Sequence, residues 1–231
     1  FNNCIKPEKI LPKKNWFKNF EEIWSPEEQS GLKVLYNFIE DNIFNYSLIN
    51  YFPNMLKNNY SKKFDKFPWV KNSKFLIAWK NGLTGYPIVD AGMRELYSTG
   101  WMHNRVRMIV GSFLVKHLLI NWKDGEKYFR NCLLDYSPAS NVAGWQWVAG
   151  CGADAAPYFR IFNPILQGEK FDKEGEYVKK WVPELKNLSK KFIHKPWELN
   201  DEKFKLGTDY PYPIVKHEEA RVKALTAFKK I

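Results

Sequence analysis

The stretch TGYPIVDAGMRELYSTGWMHNRVRM, residues 84–108, decides the fold. Pro87 suits the first turn of a helix, apolar side chains follow it at helical spacing, and Gly100 suits the helix end. From Asn104 to Ile120 the chain is again mostly apolar, which predicts a long buried helix. These residues therefore predict two consecutive helices.

The flanking sequence predicts further helices. Ser25-Pro26-Glu27-Glu28 is a strong helix start with a capping box, and apolar residues follow it at helical spacing. Residues 135–168 are rich in Gly, Ala, Pro, Asn and Trp, which indicates tight loops packed against something large. No alternating strand and no internal repeat is found, so the predicted fold class is all-α. The other predicted helices cover residues 47–57, 73–80, 124–134, 174–182 and 217–229.

Composition divides the chain into two parts. Residues 1–24 are basic, contain Pro7 and Pro12 and show no clean period, so they are interpreted as a linker or arm. Residues 25–231 are predicted to form the helical domain. Hydrophobic residues make up 45% of the chain, which is typical of a globular protein.

The charge balance is strongly basic, with a formal net charge of +11. It favours an anionic partner, either nucleic acid or a membrane surface, although a base-composition bias also produces lysine-rich surfaces. No apolar run reaches the roughly 18 residues of a membrane span, and the N-terminus does not resemble a signal peptide. Cys4, Cys132 and Cys151 have no CxxC spacing, which indicates a reducing, intracellular compartment without a disulfide framework or a zinc site.

Aromatic residues are unusually frequent, at 17% of the chain with ten tryptophans. Such an excess fits cofactor stacking, base stacking or electron transfer, and it also fits ordinary packing. No phosphate-binding loop, nucleophile elbow or metal-spaced set of His and Cys is found, so no metal site is predicted. The four histidines are not clustered in the sequence and are interpreted as structural: His103, His117, His194 and His217.

Two segments combine polar groups in patterns that could carry chemistry. In GWMHNRVRM, residues 100–108, the arginines follow a helix start, and a helix N-terminus with arginine side chains suits anions. A solvated basic helix start is the alternative. In DYSPASNVAGWQW, residues 135–147, small residues would let the backbone approach a planar ligand, and Asp135 is a natural partner for a buried Arg107. A Trp-rich packing corner is the alternative here.

A third segment, GADAAPYFRIFNP, covers residues 152–164. Its small residues again indicate close packing, and Arg160 is a candidate phosphate ligand. Taken singly, none of the three segments identifies an activity.

Together with QGEKFD at residues 167–172, these segments resemble the photolyase/cryptochrome family. The resemblance runs from about residue 47 to the end, and it is highly specific because several ordered motifs occur at the family's spacing. Within the family, WMHNRVRM and the WQW pair are most similar to the bacterial repair enzymes for cyclobutane pyrimidine dimers. The resemblance implies a multi-helix FAD-binding catalytic domain over residues 25–231.

The resemblance also implies functions for individual residues. Electron transfer from the surface to the flavin is implied for Trp69, Trp122 and Trp145, and a contact with the flavin N5 for Asn141. The implied cofactor-binding residues are Trp101, Asn104, Arg107, Asp135, Tyr136, Ser137 and Asn141. The implied lesion- and DNA-contacting residues are Asn104, Arg105, Met108, Trp147, Arg160 and Gln167.

The chemistry that the resemblance implies is light-driven: reduced FAD gives an electron to a pyrimidine dimer in DNA, the cyclobutane bonds split, and the electron returns. The expected partner is damaged DNA, and the protein is expected to be a cytoplasmic monomer that does not engage a membrane. Two alternatives remain open. The chain could be a cryptochrome-like blue-light photoreceptor, or a truncated family member without activity that keeps only basic DNA affinity.

Two departures from the family bear on these expectations. The chain passes at about Tyr46-Ser47 from the family's first flavin-domain helix to a much later one, so that roughly 80 residues, including a Thr-Ser phosphate loop, are missing. Losing several charge-assisted hydrogen bonds of about 1.5–3 kcal/mol each would weaken FAD binding by orders of magnitude. Ser137 stands where many members carry a second Asp near the flavin ring. It can hydrogen-bond but adds no charge.

Overall fold

The computed structural model describes residues 57–153, 155–157, 159–200 and 204–231. No β-strand occurs in these ranges, which confirms the all-α prediction. The predicted arm over residues 1–24 and the helices predicted to start at Ser25 and Ser47 lie outside the described residues. The α-helices are α1 Ser73–Lys80, α2 Pro87–Thr99, α3 Asn104–Ser112, α4 Trp122–Cys132, α5 Pro138–Ala149, α6 Pro164–Phe171, α7 Glu176–Trp181 and α8 His217–Phe228.

The turn before α2 is held by one buried carboxylate. Asp90 is fully buried and accepts hydrogen bonds from the Thr84 amide at 2.8 Å, the Thr84 hydroxyl at 2.6 Å and the Gly85 amide at 3.0 Å. The Tyr210 hydroxyl also donates to Asp90. Gly85 has a φ of +78° and lies directly against the backbone of Tyr212, so no side chain fits there. The motif TGYPIVD therefore forms a helix start whose local hydrogen bonds are completed by Tyr210 and which packs against Tyr212, both from near the end of the chain.

The apolar run after Asn104 forms a shorter helix than the sequence predicts. α3 ends at Ser112 and continues as a π-helical turn over Phe113–His117, and the backbone then reverses at Leu119, whose φ is +52°. The prediction of one helix to Ile120 was wrong because the reversal is itself apolar: Leu118 is 3% exposed and Ile120 is 2% exposed. Hydrophobicity alone does not mark where this helix ends.

Other helix boundaries also differ from the sequence prediction. α4 begins at Trp122 and not at Asp124, because the Asn121 side chain accepts a hydrogen bond from the Lys123 amide at 2.9 Å and caps the helix. Residues 135–168 contain α5 and the first five residues of α6, where the sequence predicted loops. Both helices open on a proline, which suits a first turn, and their small residues permit close packing.

The helices that surround the site pack around buried aromatic rings. α3 and α4 both pack against α5, and α2 packs against α3. Trp79 of α1 is fully buried, and its indole N–H donates to the carbonyl of Val110 at 3.0 Å. Its ring centroid lies 6.1 Å from that of Trp145. None of the described helices is long and apolar enough to cross a membrane.

α8 packs on the π-helical turn through a pair of histidines. Nε2 of His117 lies 2.9 Å from Nδ1 of His217, and both rings are buried. Burial and the neighbouring His217 lower the pKa of His117 to about 3. The two histidines are 100 positions apart in the chain, so this contact forms only through the fold and has no signal in the sequence.

Candidate active site

A cavity of about 370 Å³ opens between α3, α4 and α5. This volume is within the range of small-molecule sites and suits a planar ring system. Most of the residues that line it come from the segments that the sequence singled out. They are Asn104, Arg107, Met108, Gly111, Phe129, Leu133, Asp135, Ser137, Ser140, Asn141, Gly144, Trp145, Trp147 and Val148.

The apolar wall of the cavity is built around Trp145. Its ring centroid lies 5.0 Å from that of Phe129 on α4, edge to face. A Cβ on Gly125 would come within 2.2 Å of the Trp145 ring, so α4 must present a glycine there. At Gly144, one residue earlier on α5, a Cβ would meet nothing within 4 Å. The two glycines therefore act differently: Gly125 allows the Trp145 indole to pack against α4, and Gly144 leaves space inside the cavity.

An ion pair stands at the polar rim. Arg107 donates from its Nη2 to Asp135 at 2.7 Å and from its Nε to the Met102 carbonyl at 2.7 Å. The amide of Leu134 donates to the carbonyl of Gly100 at 2.8 Å, which brings Asp135 beside α3. The predicted pairing of Arg107 with Asp135 is present, but it is not buried: their side chains are 26% and 48% exposed. At a rim open to solvent, the pair contributes about 0–1 kcal/mol to stability.

Asn141 is held in place by a buried carboxylate that the sequence did not single out. Its Nδ2 lies 3.3 Å from Oε1 and 3.4 Å from the backbone oxygen of Glu126, which is 4% exposed. Glu126 also receives hydrogen bonds from Tyr136 and Arg130. In the sequence Glu126 stands four residues before Arg130, the spacing of an ordinary surface ion pair on a helix. Its place beside the cavity therefore could not be predicted.

The contacts around Glu126 have two chemical consequences. Because both contacts of the Asn141 side-chain amide with Glu126 use its N–H group, its oxygen can accept a hydrogen bond from a ligand in the cavity. The pKa of the Tyr136 phenol is raised by its burial and by the neighbouring Glu126, so the phenol stays a donor to that carboxylate. Tyr136 therefore supports Asn141 through Glu126 and does not itself line the cavity.

The predicted lesion-contacting residues are only partly brought together. Asn104, Met108 and Trp147 line the cavity, and Arg105 follows Asn104 in the first turn of α3. Arg160 is exposed, and its backbone oxygen accepts a hydrogen bond from the buried Lys116 at 2.8 Å. Arg160, Trp101 and Gln167 do not line the cavity.

The surroundings of Trp101 and Gln167 do not test the roles that the resemblance implied for them. Trp101 is 48% exposed and packs edge to face on His103, with ring centroids 6.3 Å apart. Gln167 has its side-chain oxygen buried without a partner among the described residues. A direct cofactor contact by Trp101 therefore stays a prediction that the cavity does not support.

The tryptophans proposed for electron transfer differ in their exposure. Trp145 lines the cavity, Trp122 is 1% exposed, and Trp69 is partly exposed. The indole N–H of Trp122 donates to Asn59 at 2.8 Å. Trp145 therefore lies at the cavity and Trp69 reaches the surface, and the electron route between them through Trp122 stays a prediction. Trp79, which touches Trp145, was not singled out from the sequence.

Residues 40–230 match the family model for the FAD-binding domain of DNA photolyase. The chain belongs to this family, whose cofactor is FAD. A deoxyribodipyrimidine photo-lyase of Agrobacterium fabrum is 43% identical over 96% of the chain and 60% of the relative. A class III photolyase from Agrobacterium tumefaciens superposes with a TM-score of 0.77 at 57% identity, over 81% of this chain and 40% of that one. A Synechocystis cryptochrome gives a TM-score of 0.71 at 35% identity, over 95% of this chain and 43% of the cryptochrome.

The chain spans 60% of the curated Agrobacterium relative and about two fifths of the two solved structures. The alignment with the Agrobacterium relative extends over 288 residues, whereas the chain has 231, so at least 57 residues of the relative have no counterpart. This agrees with the predicted internal gap. Its expected position, near Tyr46-Ser47, lies outside the described residues.

The described residues fit the flavin ring better than they fit the whole cofactor. An apolar wall at Trp145 and Phe129, open space at Gly144 and the charged rim at Arg107 and Asp135 suit a planar, polar-edged ring. The cavity carries a single arginine for two phosphates. The lining of this cavity is therefore compatible with the ring half of an FAD site in the part of the chain that the structure describes.

Proposed function

We propose that this chain forms the flavin-ring side of a light-driven repair site for cyclobutane pyrimidine dimers in DNA. One observation carries the proposal: the cavity is lined at once by flavin-type residues, Asn141 and Asp135, and by lesion-type residues, Met108 and Trp147. A photoreceptor needs the first set alone. Because both sets share one cavity of about 370 Å³, an electron donor and an acceptor bound there would lie close together.

Each group in the cavity has a separate task under this proposal. When bound, FAD supplies the light absorption and the electron. Arg107 and Asp135 orient the edge of the ring, and the Asn141 oxygen accepts a hydrogen bond from it. Trp145, on the apolar wall, is placed to supply an electron to a ring in the cavity. Met108 and Trp147 offer soft, flat surfaces for a dimer.

Damaged DNA is the proposed substrate. A dimer is poorly stacked and therefore costs less free energy to turn out of the duplex than a normal base, which is a general property of photolyase substrates. The net charge of +11 would supply affinity for phosphates that falls steeply with salt. We also propose that the protein acts as a monomer in the cytoplasm, and light scattering of the purified chain tests its oligomeric state.

The decisive experiment is repair of a dimer-containing oligonucleotide under blue light by the flavin-loaded, reduced chain. We expect the dimer to be lost in the light and not in the dark. A Trp147→Phe variant should weaken dimer binding, whereas Trp101→Phe, which alters an exposed ring outside the cavity, should not. No repair by a sample that retains flavin would overturn the proposal and favour a photoreceptor.

A second candidate is a chain that has lost FAD affinity and keeps only basic DNA affinity. The missing family segment of at least 57 residues favours it, because the sequence predicts that the phosphate loop lies there. An absorption spectrum after incubation with FAD distinguishes the two candidates. A colourless protein that binds DNA supports the second, and a yellow protein contradicts it.

A further inference from the structure

Phe171 is an apolar side chain in an unusual position. It is the last residue of α6, and 48% of it is exposed. The guanidinium carbon of Arg105 lies 4.7 Å from the centre of the Phe171 ring, and the ammonium of Lys170 lies 5.4 Å from it. An aromatic face attracts a cation within about 6 Å. The ring therefore holds a cation from the start of α3 against the end of α6.

Arg105 and Lys170 have no carboxylate partner among the described residues. The two acidic side chains that flank this part of α6 are engaged elsewhere: Glu169 pairs with Lys195 at 3.7 Å, and Asp172 accepts hydrogen bonds from two amides of α7, each at 3.0 Å. Because neither Arg105 nor Lys170 has a counter-ion here, the N–H groups of both side chains are available to an anion.

The position of Arg105 links this contact to the cavity. Its amide donates to Nδ1 of His103 at 3.1 Å, which fixes the backbone in the first turn of α3, next to the cavity-lining Asn104. The backbone is thus fixed, but a free arginine side chain loses considerable rotamer freedom when it binds a phosphate. A contact that restricts the side chain beforehand lowers this cost.

We propose that Phe171 is a positioning residue for DNA binding: its ring holds the Arg105 guanidinium toward a DNA phosphate beside the cavity. This inference rests on the proposed function, because it needs DNA as the ligand. A leucine would cover the same surface without an aromatic face, whereas a tyrosine would keep that face. Aromatic character at position 171, and not bulk, then determines the affinity.

The test is a double-mutant cycle in DNA binding. Affinity for a labelled duplex with one thymine dimer is measured by fluorescence anisotropy, in the dark and over a series of salt concentrations. The variants are Phe171→Leu, Phe171→Tyr, Arg105→Gln and the double variant Phe171→Leu with Arg105→Gln. Phe192→Leu is the matched control, because the Phe192 ring carries Lys191 at 5.0 Å and does not line the cavity.

We expect Phe171→Leu to weaken binding about two- to fivefold, the size of an exposed cation–aromatic contact. Its salt dependence should match that of the parent, because the ion pair still forms once DNA is bound. Arg105→Gln should reduce the slope of log affinity against log salt by about one. Phe171→Tyr and Phe192→Leu should keep the parent affinity. The double variant should bind DNA as weakly as Arg105→Gln alone.

The outcomes separate this inference from the proposed function. If Phe171→Leu weakens DNA binding equally in the parent and in Arg105→Gln, the positioning role is overturned and the proposed function is not. The same holds if Phe171→Tyr weakens DNA binding as much as Phe171→Leu does. A parent chain that binds no DNA overturns the proposed function and this inference with it. Melting temperatures of all variants show whether a loss of binding reflects a loss of folding.

Discussion

A substitution at Gly144 should change the stability of α5 and the space inside the cavity in opposite directions. A Cβ at this position would meet nothing within 4 Å, and Gly144 lines the cavity. In a Gly144→Leu variant the new side chain would therefore extend into the space that we assign to the flavin ring. Replacing a glycine inside a helix by a good helix former stabilises the helix by up to about 1 kcal/mol.

The same substitution should abolish most flavin binding. Forcing extra methylene groups against a bound ring costs about 1–3 kcal/mol, which corresponds to roughly 5- to 160-fold weaker binding. Titration with FAD, followed by quenching of flavin fluorescence, measures the affinity, and thermal unfolding without FAD measures stability. Gly144→Ala is the matched control and should keep more of the affinity while also stabilising the fold.

Two results would refute this reasoning. If Gly144→Leu bound FAD as tightly as the parent, the cavity would not be the flavin site. If the variant melted at a clearly lower temperature, the space beside Gly144 would be filled in solution, and the loss of binding would carry no information about the cavity.

Three further predictions concern stability. Gly168→Ala should lower the free energy of unfolding by about 1–3 kcal/mol, because its Cβ would lie 2.4 Å from Nδ1 of the buried His194; an unchanged melting temperature would contradict the close contact. Glu126→Gln should lower it by about 1–3 kcal/mol in urea unfolding, because several donors lose a buried carboxylate. The unfolded chain takes up a proton on His117 near pH 6.5, whereas in the folded chain its pKa is lowered to about 3, so stability should fall as the pH drops between these values. Between pH 7 and pH 5.5 the free energy of unfolding should fall by about 1 kcal/mol. If a His117→Gln variant lost as much stability over this range, groups other than His117 would be responsible.

The sequence predicted those parts of the fold that depend on local signals. α1 and α2 have the predicted bounds, because Pro87, Gly82 and Gly100 act within one turn of the chain. The end of α3 could not be predicted, since the reversal at Leu119 is stabilised by burial and leaves no polar mark.

The candidate site shows the same division between local and long-range information. The pairing of Arg107 with Asp135 was expected, but its exposure depends on how α3 and the segment before α5 meet. Glu126 and the contact between His117 and His217 follow only from tertiary packing. The sequence therefore indicates the segments that supply most of the cavity lining, and the packing of the helices determines which side chains reach the cavity and how each one is held.

The tight packing of the Trp145 indole at the cavity wall bears on the rate at which this ring could transfer an electron. Trp145 is 3% exposed and is enclosed by Gly125, Phe129 and Trp79. If a ring so confined loses an electron, neither it nor the surrounding apolar groups can rearrange much. If Trp145 is the electron donor that we propose, this confinement lowers the nuclear reorganisation energy of the transfer. Gly125 contributes to it, because the absence of a side chain lets α4 pack directly against the indole.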